Sequence, residues 1–194
     1  MTPSVSDARL DRYYYIFDSR AHRPVVVDRT TGTEYDWEGE ARVQLIRHVE
    51  AECGRDVLPA FASWCARQVG APARAMDADE ASPAVRLWRA ARRRAEGTAS
   101  REALRAVREE TNDAVLMAST VGLPRRDAEA ARLLTVQACL HPDPVEAAAN
   151  AAHMSERWAE FSGAEEPERA ATEMRERQIN WLLDRLITGP AATA

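Results

Sequence analysis

The sequence predicts a mainly α-helical protein, an antiparallel helical bundle or a short α-solenoid, with a small antiparallel β-meander at its N-terminus. Three observations predict it. The first forty residues hold short β-branched and aromatic segments parted by turn residues, and from Glu38 onward the apolar residues recur at helical spacing. Along that second stretch Pro, Gly, Ser and Asp stand where helices stop and restart.

The meander comprises YYYIF (Tyr13 to Phe17), PVVVD (Pro24 to Asp28) and TEYDW (Thr33 to Trp37). DSRAHR and RTTG separate them, and Gly32 in the second supplies the positive φ of a tight turn. Three short strands cannot stand alone, so the sheet must pack on helices or pair with another chain. The expected organisation is a meander over 1–37, a helical domain over 38–188 and a disordered tail over 189–194.

In GEARVQLIRHVEAEC, Val43, Leu45, Ile46 and Val49 give a broad apolar face, and Gly54 is a stop. DVLPAFASWCARQVG follows, with Leu58, Phe61, Trp64, Cys65 and Val69 at helical spacing. APARAMDADEASP reads as a connector ending where Ser82 caps and Pro83 takes the first position of the helix AVRLWRAARRRAEG, which Gly97 closes.

The last hundred residues carry the clearest helical pattern. Ser100 is an N-cap, and Ala103, Leu104, Val107, Thr111, Ala114, Val115 and Ala118 keep one face apolar up to Gly122 and Pro124. PRRDAEAARLLTVQACLH runs on to His141, where Pro142 forbids continuation. Asp143 then caps, Pro144 sits at the first position, and Glu146 completes a capping-box pattern. The alanine run places Ala147, Ala151, Met154, Trp158 and Phe161 on one seam that admits a close neighbour before the aromatics fill its end. After the break SGAEEPE, a last helix, RAATEMRERQINWLLDRLITG, presents Met174, Ile179, Leu182, Leu183 and Leu186. Such short connections make successive helices antiparallel neighbours.

A chain of 194 residues can bury a core without staples. Its three cysteines, Cys53, Cys65 and Cys139, have no CxxC spacing, so they read as small buried apolar residues in a reducing compartment. No apolar run approaches the roughly 20 residues of a membrane span. MTPSVSDARLDRYYY has no basic region followed by an apolar stretch, so the expected location is the cytoplasm. All 26 basic residues are arginine, which together with the alanine content reflects coding bias more than phosphate binding. A net charge of -5 argues against general nucleic-acid binding.

The candidate sites each have a structural explanation. His141 and His153 stand twelve apart across a helix break, and HPDP is accounted for as a stop followed by a start, with His141 capping the carbonyls of the helix before it. His48 and Glu52 share a helix face beside Cys53 and read as a surface pair. Glu109 and Asp113 lie four apart with Glu110 alongside, but no Glu-x-x-His stands on another helix to complete a carboxylate centre. GxSxG, HExxH and Gly-rich phosphate loops do not occur, and Cys65 has no assignable basic partner. No catalytic residue, metal ligand or cofactor is therefore assigned. The one basic cluster, RLWRAARRRAEG, sets Arg86, Arg89, Arg92 and Arg93 at helical spacing, able to grip carboxylates or phosphates, against the alternative of a solvated face balanced by the acidic DADE upstream.

Three segments taken in order, SPAVRLWRAARRRAEGTASREALRAVRE, ACLHPDPVEAAANAAHMSERW and ERQINWLLDRL, carry a resemblance over about Asp79 to Leu186. The pattern resembles the alanine-rich, all-α immunity proteins of bacterial polymorphic toxin systems. The resemblance implies a non-enzymatic protein that neutralises a toxin by binding it, and it assigns no residue a role by position. The expected function is accordingly a cytoplasmic protein-binding module that covers a basic toxin or enzyme. Arg86, Arg89, Arg92 and Arg93, with Tyr13 and Tyr15 as anchors, are the expected partner-binding residues, and the N-terminal strands extend a partner's sheet or form a homodimer. Two alternatives stay open: an enzyme or metal protein whose site is assembled from His48, Glu109, Asp113 and His153, and a DNA-binding regulator using Arg86 to Arg94.

Overall fold

The computed structural model describes residues 12–18, 23–37, 39–71, 82–119, 124–162 and 165–189. Among them the protein is mainly α, with a small N-terminal antiparallel sheet. The strands are β1 (Tyr13–Asp18), β2 (Arg23–Asp28) and β3 (Thr33–Asp36). The helices are α1 (Gly39–Cys53), α2 (Val57–Gln68), α3 (Pro83–Ala95), α4 (Arg101–Ser119), α5 (Pro124–Ala138), α6 (Pro144–Phe161) and α7 (Pro167–Thr188). The expected connector over 72–81 with its DADE, the stop at Gly122 and the tail from residue 190 lie outside the described residues. No described helix is long and apolar enough to cross a membrane.

Contacts divide the chain into two compact units, and not after residue 37. The first comprises 1–57 and 176–194; the second comprises 58–175. Within the first unit, β2 is the central strand, antiparallel to β1 and β3, with Tyr13 opposite Asp28 and Val26 opposite both Tyr15 and Tyr35. Val25, Val26 and Val27 are all buried, so the middle strand is covered on both faces, as a continuous β-branched run requires. Gly32 adopts φ 68° in the β2–β3 turn and its N–H reaches Asp28 O at 2.8 Å. Tyr13, Tyr15, Asp28 and Tyr35 share one face of the sheet by alternation, and α1 packs against β3.

Trp37 ties β3 to the helices of this unit. It is 1% exposed, and its Nε1 donates to Gln178 Oε1 on α7 at 3.0 Å. Arg42 of α1 lies over the indole at 5.2 Å and donates to Trp37 O. Leu45, Ile46 and Val49 of α1, with Ile179, Leu182, Leu183 and Leu186 of α7, are buried, which is the apolar pattern their spacing predicts. Each fully buried aliphatic side chain contributes roughly 1.5–3 kcal/mol.

In the second unit α5 and α6 make the most extensive helix contact, while α3 packs on both α4 and α5. α4 packs on α5 as well. The buried stripe of α6 is wider than the expected seam: Val145, Ala147, Ala148, Ala149, Ala151, Ala152, Ser155, Glu156 and Ala159 are buried, whereas Met154, Trp158 and Phe161 are half-buried. Small residues on this many positions let α5 approach closely. Several polar groups inside have partners. Thr111 and Thr135 return their hydroxyls to Val107 O and Ala131 O, both at 2.7 Å, and the buried Glu156 pairs with Arg175 at 3.1 Å.

Several helix ends form as their residues dictate. Ser100 Oγ accepts from Ala103 N at 3.1 Å, and Asp143 Oδ1 accepts from Val145 N at 2.8 Å and Glu146 N at 3.3 Å. α3 closes in a Schellman arrangement, with Gly97 at φ 69°, Thr98 N on Arg93 O at 2.9 Å and Gly97 N on Arg94 O at 3.0 Å. Others differ from expectation. Ser82 occupies the N-cap of α3 but its hydroxyl makes no cap bond. The capping box at α6 does not close through Glu146, because the Asp143 N–H reaches His141 Nδ1 at 3.3 Å. His141 therefore straddles the backbone of Asp143, and Arg94 takes the exposed carbonyls instead, bonding His141 O and reaching Pro142 O at 3.5 Å.

Candidate functional site

The arginine face of α3 and the C-terminal part of α4 form the candidate interaction surface, within the second unit. Val85, Leu87, Ala90 and Ala91 bury one side of α3, which turns Arg86, Arg89, Arg92 and Arg93 to solvent. Arg86, Arg89 and Arg93 are spaced three and four apart and share a face, with Arg92 on its flank. Arg86 pairs with Glu110 of α4 across the helix interface, and Arg92 pairs with Glu96 at 2.9 Å. Exposed pairs of this kind contribute roughly 0–1 kcal/mol, so a partner's carboxylates can replace them at little cost. Arg94 does not belong to the face; its side chain is committed to the His141 and Pro142 carbonyls.

Glu110 links this face to an apolar one. Met117 lies two turns further along the same side of α4, and Met117 and Leu116 are 70% and 53% exposed. Large apolar side chains with that exposure, beside arginines, have the composition of a protein interface centre, where methionine and arginine are enriched. Sequence periodicity assigned the α4 face from Ala103 to Ala118 to a core and gave Leu116 and Met117 no role.

The expected tyrosine anchors sit in the first unit and are partly consumed there. Tyr13 is 4% exposed, with its hydroxyl 3.0 Å from His48 Nε2. Tyr15 is half-buried; burial first, and the Glu176 carboxylate second, push its phenol pKa upward. Tyr13 thus presents no ring to a partner. Ile16, on the opposite face of β1, is 39% exposed. β1 is an edge of the described sheet.

His48 and Glu52 belong to a part-buried network and not to a bare surface pair. Arg12 donates to Asp28 at 2.9 Å and to Glu52 at 3.2 Å, bridging two carboxylates. Asp28 is wholly buried and also accepts from Thr30 N at 2.9 Å. The Arg12 hydrogen bond, opposed by burial and helped by Thr30, lowers the Asp28 pKa to about 2. Burial, then Glu52, pushes the Tyr13 phenol up to about 12, while burial lowers the His48 pKa against the pull of Glu52. Tyr35 stacks on the imidazole at 5.0 Å. Near pH 7 the phenol keeps its proton and shares a hydrogen bond with a neutral ring. The arrangement pins the sheet to α1, and its two carboxylates share one guanidinium. Arg12 and Asp28 escaped the sequence reading because strand register alone brings them together; the only trace is that Arg12 adjoins Tyr13, which pairs with Asp28.

The other residues of the enzyme alternative are distributed differently. Glu109 pairs with Arg105 at 2.7 Å on the surface of α4, and Asp113 and His153 are exposed; these three belong to the second unit and His48 to the first. Among the described residues no group of three or more His, Cys, Asp or Glu side chains is placed to hold a metal ion. Cys65 and Cys139 are buried and Cys53 is half-buried, and burial pushes the Cys139 thiol up to about 12.

Compared with known protein families, curated proteins and solved structures, the chain matches none.

Proposed function

We propose that the protein is a binding module of the immunity type, which neutralises a toxin by covering it. The observation that carries this reading is the juxtaposition, on α3 and α4, of an exposed arginine stripe with the exposed Leu116 and Met117. In this reading Met117 enters an apolar depression on the partner, and Arg89 and Arg93 take carboxylates at its rim through bidentate pairs. The net charge of -5 favours a basic partner at long range and raises the association rate. The resemblance over 79–186 covers both helices of the surface.

Hydrogen exchange on the complex tests the assignment. Bound partner is expected to slow exchange in α3 and in the second half of α4, leaving α6 unchanged. Protection confined to β1 would instead favour pairing through the sheet edge, whether with the toxin or with a second copy of this chain.

A further inference from the structure

A cleft of about 180 Å³ lies among α4, α5 and α6, lined on one side by Leu134, Ala138 and Met154. Its remaining lining is polar: Arg108, Gln137, His141 and Asn150. Arg108 is half-buried there, and the carboxylates next to it in sequence are taken by other arginines, Glu109 by Arg105 and Glu110 by Arg86. Among the described residues the Arg108 guanidinium has no ion pair. Gln137 Nε2 is buried with no hydrogen-bond partner, which is a costly state for an amide. His141 completes the lining with Asn150. The His141 ring, whose Nδ1 lies 3.3 Å from both the N and the O of Asp143, adds a further polar edge.

One cation and several N–H donors beside a short apolar wall match one ligand chemistry. We propose that this cleft binds a small aliphatic carboxylate, its carboxylate held by Arg108 with the polar groups of Gln137, His141 and Asn150 around it, and its alkyl chain on Leu134, Ala138 and Met154. The volume is below the roughly 300–1,000 Å³ of pockets for drug-sized ligands, which restricts the ligand to a short acid. Guanidinium and carboxylate match in planar fork geometry, whereas an amine would be repelled by Arg108. Inorganic phosphate would satisfy the donors and leave the apolar wall unused. The inference is independent of the partner surface, which uses the other side chains of α4.

The test is an NMR titration of the full chain, labelled with ¹⁵N, using acetate, butyrate, hexanoate, butylamine and inorganic phosphate in turn. Butyrate is expected to give saturable shifts at residues 108, 137–141 and 150–154, stronger than acetate and absent with butylamine. Arg108→Gln should weaken butyrate about tenfold or more, and the exposed Asn150→Ala should weaken it less, both with unchanged melting temperature. Shifts that do not saturate, equal response to butylamine, or indifference to both substitutions would overturn the site. Phosphate binding as tightly as butyrate would overturn the carboxylate assignment.

Discussion

The guanidinium of Arg12 closes on Asp28 at 2.9 Å, where the carboxylate is wholly removed from solvent and the guanidinium is only partly so. This pair sits at the start of β1 and the end of β2, and through Glu52 it reaches α1. Arg12→Ala leaves a buried carboxylate without its cation. The expected loss is about 2–3 kcal/mol, between the values for exposed and fully buried pairs, measured by chemical denaturation at pH 7. A loss below about 0.5 kcal/mol, the scatter of ordinary surface changes, would mean that Asp28 is hydrated in solution.

The same network sets a pH dependence. The folded His48 pKa lies below its ordinary 6.5, so the unfolded chain takes up the proton first, and stability present above 6.5 falls as pH drops through that value. Asp28 is also depressed, from 3.8 to about 2, so its contribution persists above 3.8 and is lost as pH falls toward 2. Denaturation midpoints measured from pH 8 to pH 2 should therefore decline in two stages, and His48→Asn should flatten the first. A single decline below pH 4, unchanged by that substitution, would contradict the placement of His48.

Trp37 and Gln178 form a buried hydrogen bond between residues 141 apart. Trp37→Phe removes the donor of this bond, Gln178→Leu its acceptor, and the double substitution both. A double-mutant cycle should give a coupling of about 1 kcal/mol. Trp158 provides the contrast, since its Nε1 is buried without an acceptor, and Trp158→Phe should cost less than about 1 kcal/mol because no hydrogen bond is lost.

Thiol reactivity follows burial. With a chromogenic disulfide reagent, Cys53 of the native protein should react, while Cys65 and Cys139 should react only on unfolding. Rapid native reaction of Cys139, whose thiol is held at about 12 by burial, would place it at the surface.

Legibility in the sequence tracked the range of the interaction. The turn at Gly32 and the caps at Ser100 and Asp143 are local, and the residues that favour them lie within a few positions. Ser82 and Glu146 obey the same local rules, yet the Ser82 hydroxyl makes no cap bond and His141 takes the backbone donor expected of Glu146. The competing partner was equally near, and spacing alone does not rank them. Tyr13 was expected as a partner anchor, but strand alternation marks two faces without naming the buried one, and in the structure Tyr13 is buried with its hydroxyl on His48 of α1. The division of the chain into units was hidden for a related reason: residues 176–188 of α7 join β1–β3 and α1, and no periodicity announces contacts with strands more than a hundred residues away. Arg86, Arg89, Arg92 and Arg93 were legible as an exposed face because arginine spacing opposite Val85, Leu87 and Ala91 leaves them no other side. Leu116 and Met117 were not, since an exposed apolar residue and a core residue read alike in a helical pattern.

The most direct measurement of the binding function is recovery of the tagged protein from the cells that naturally make it, in parallel with a variant carrying Arg89→Glu, Arg93→Glu and Met117→Asp. The account predicts one stoichiometric protein partner with the native chain, a loss of affinity of about a hundredfold or more in the variant, and equal melting temperatures for the two chains. Recovery of the native chain alone, or of the same partner at the same affinity with both chains, would contradict it.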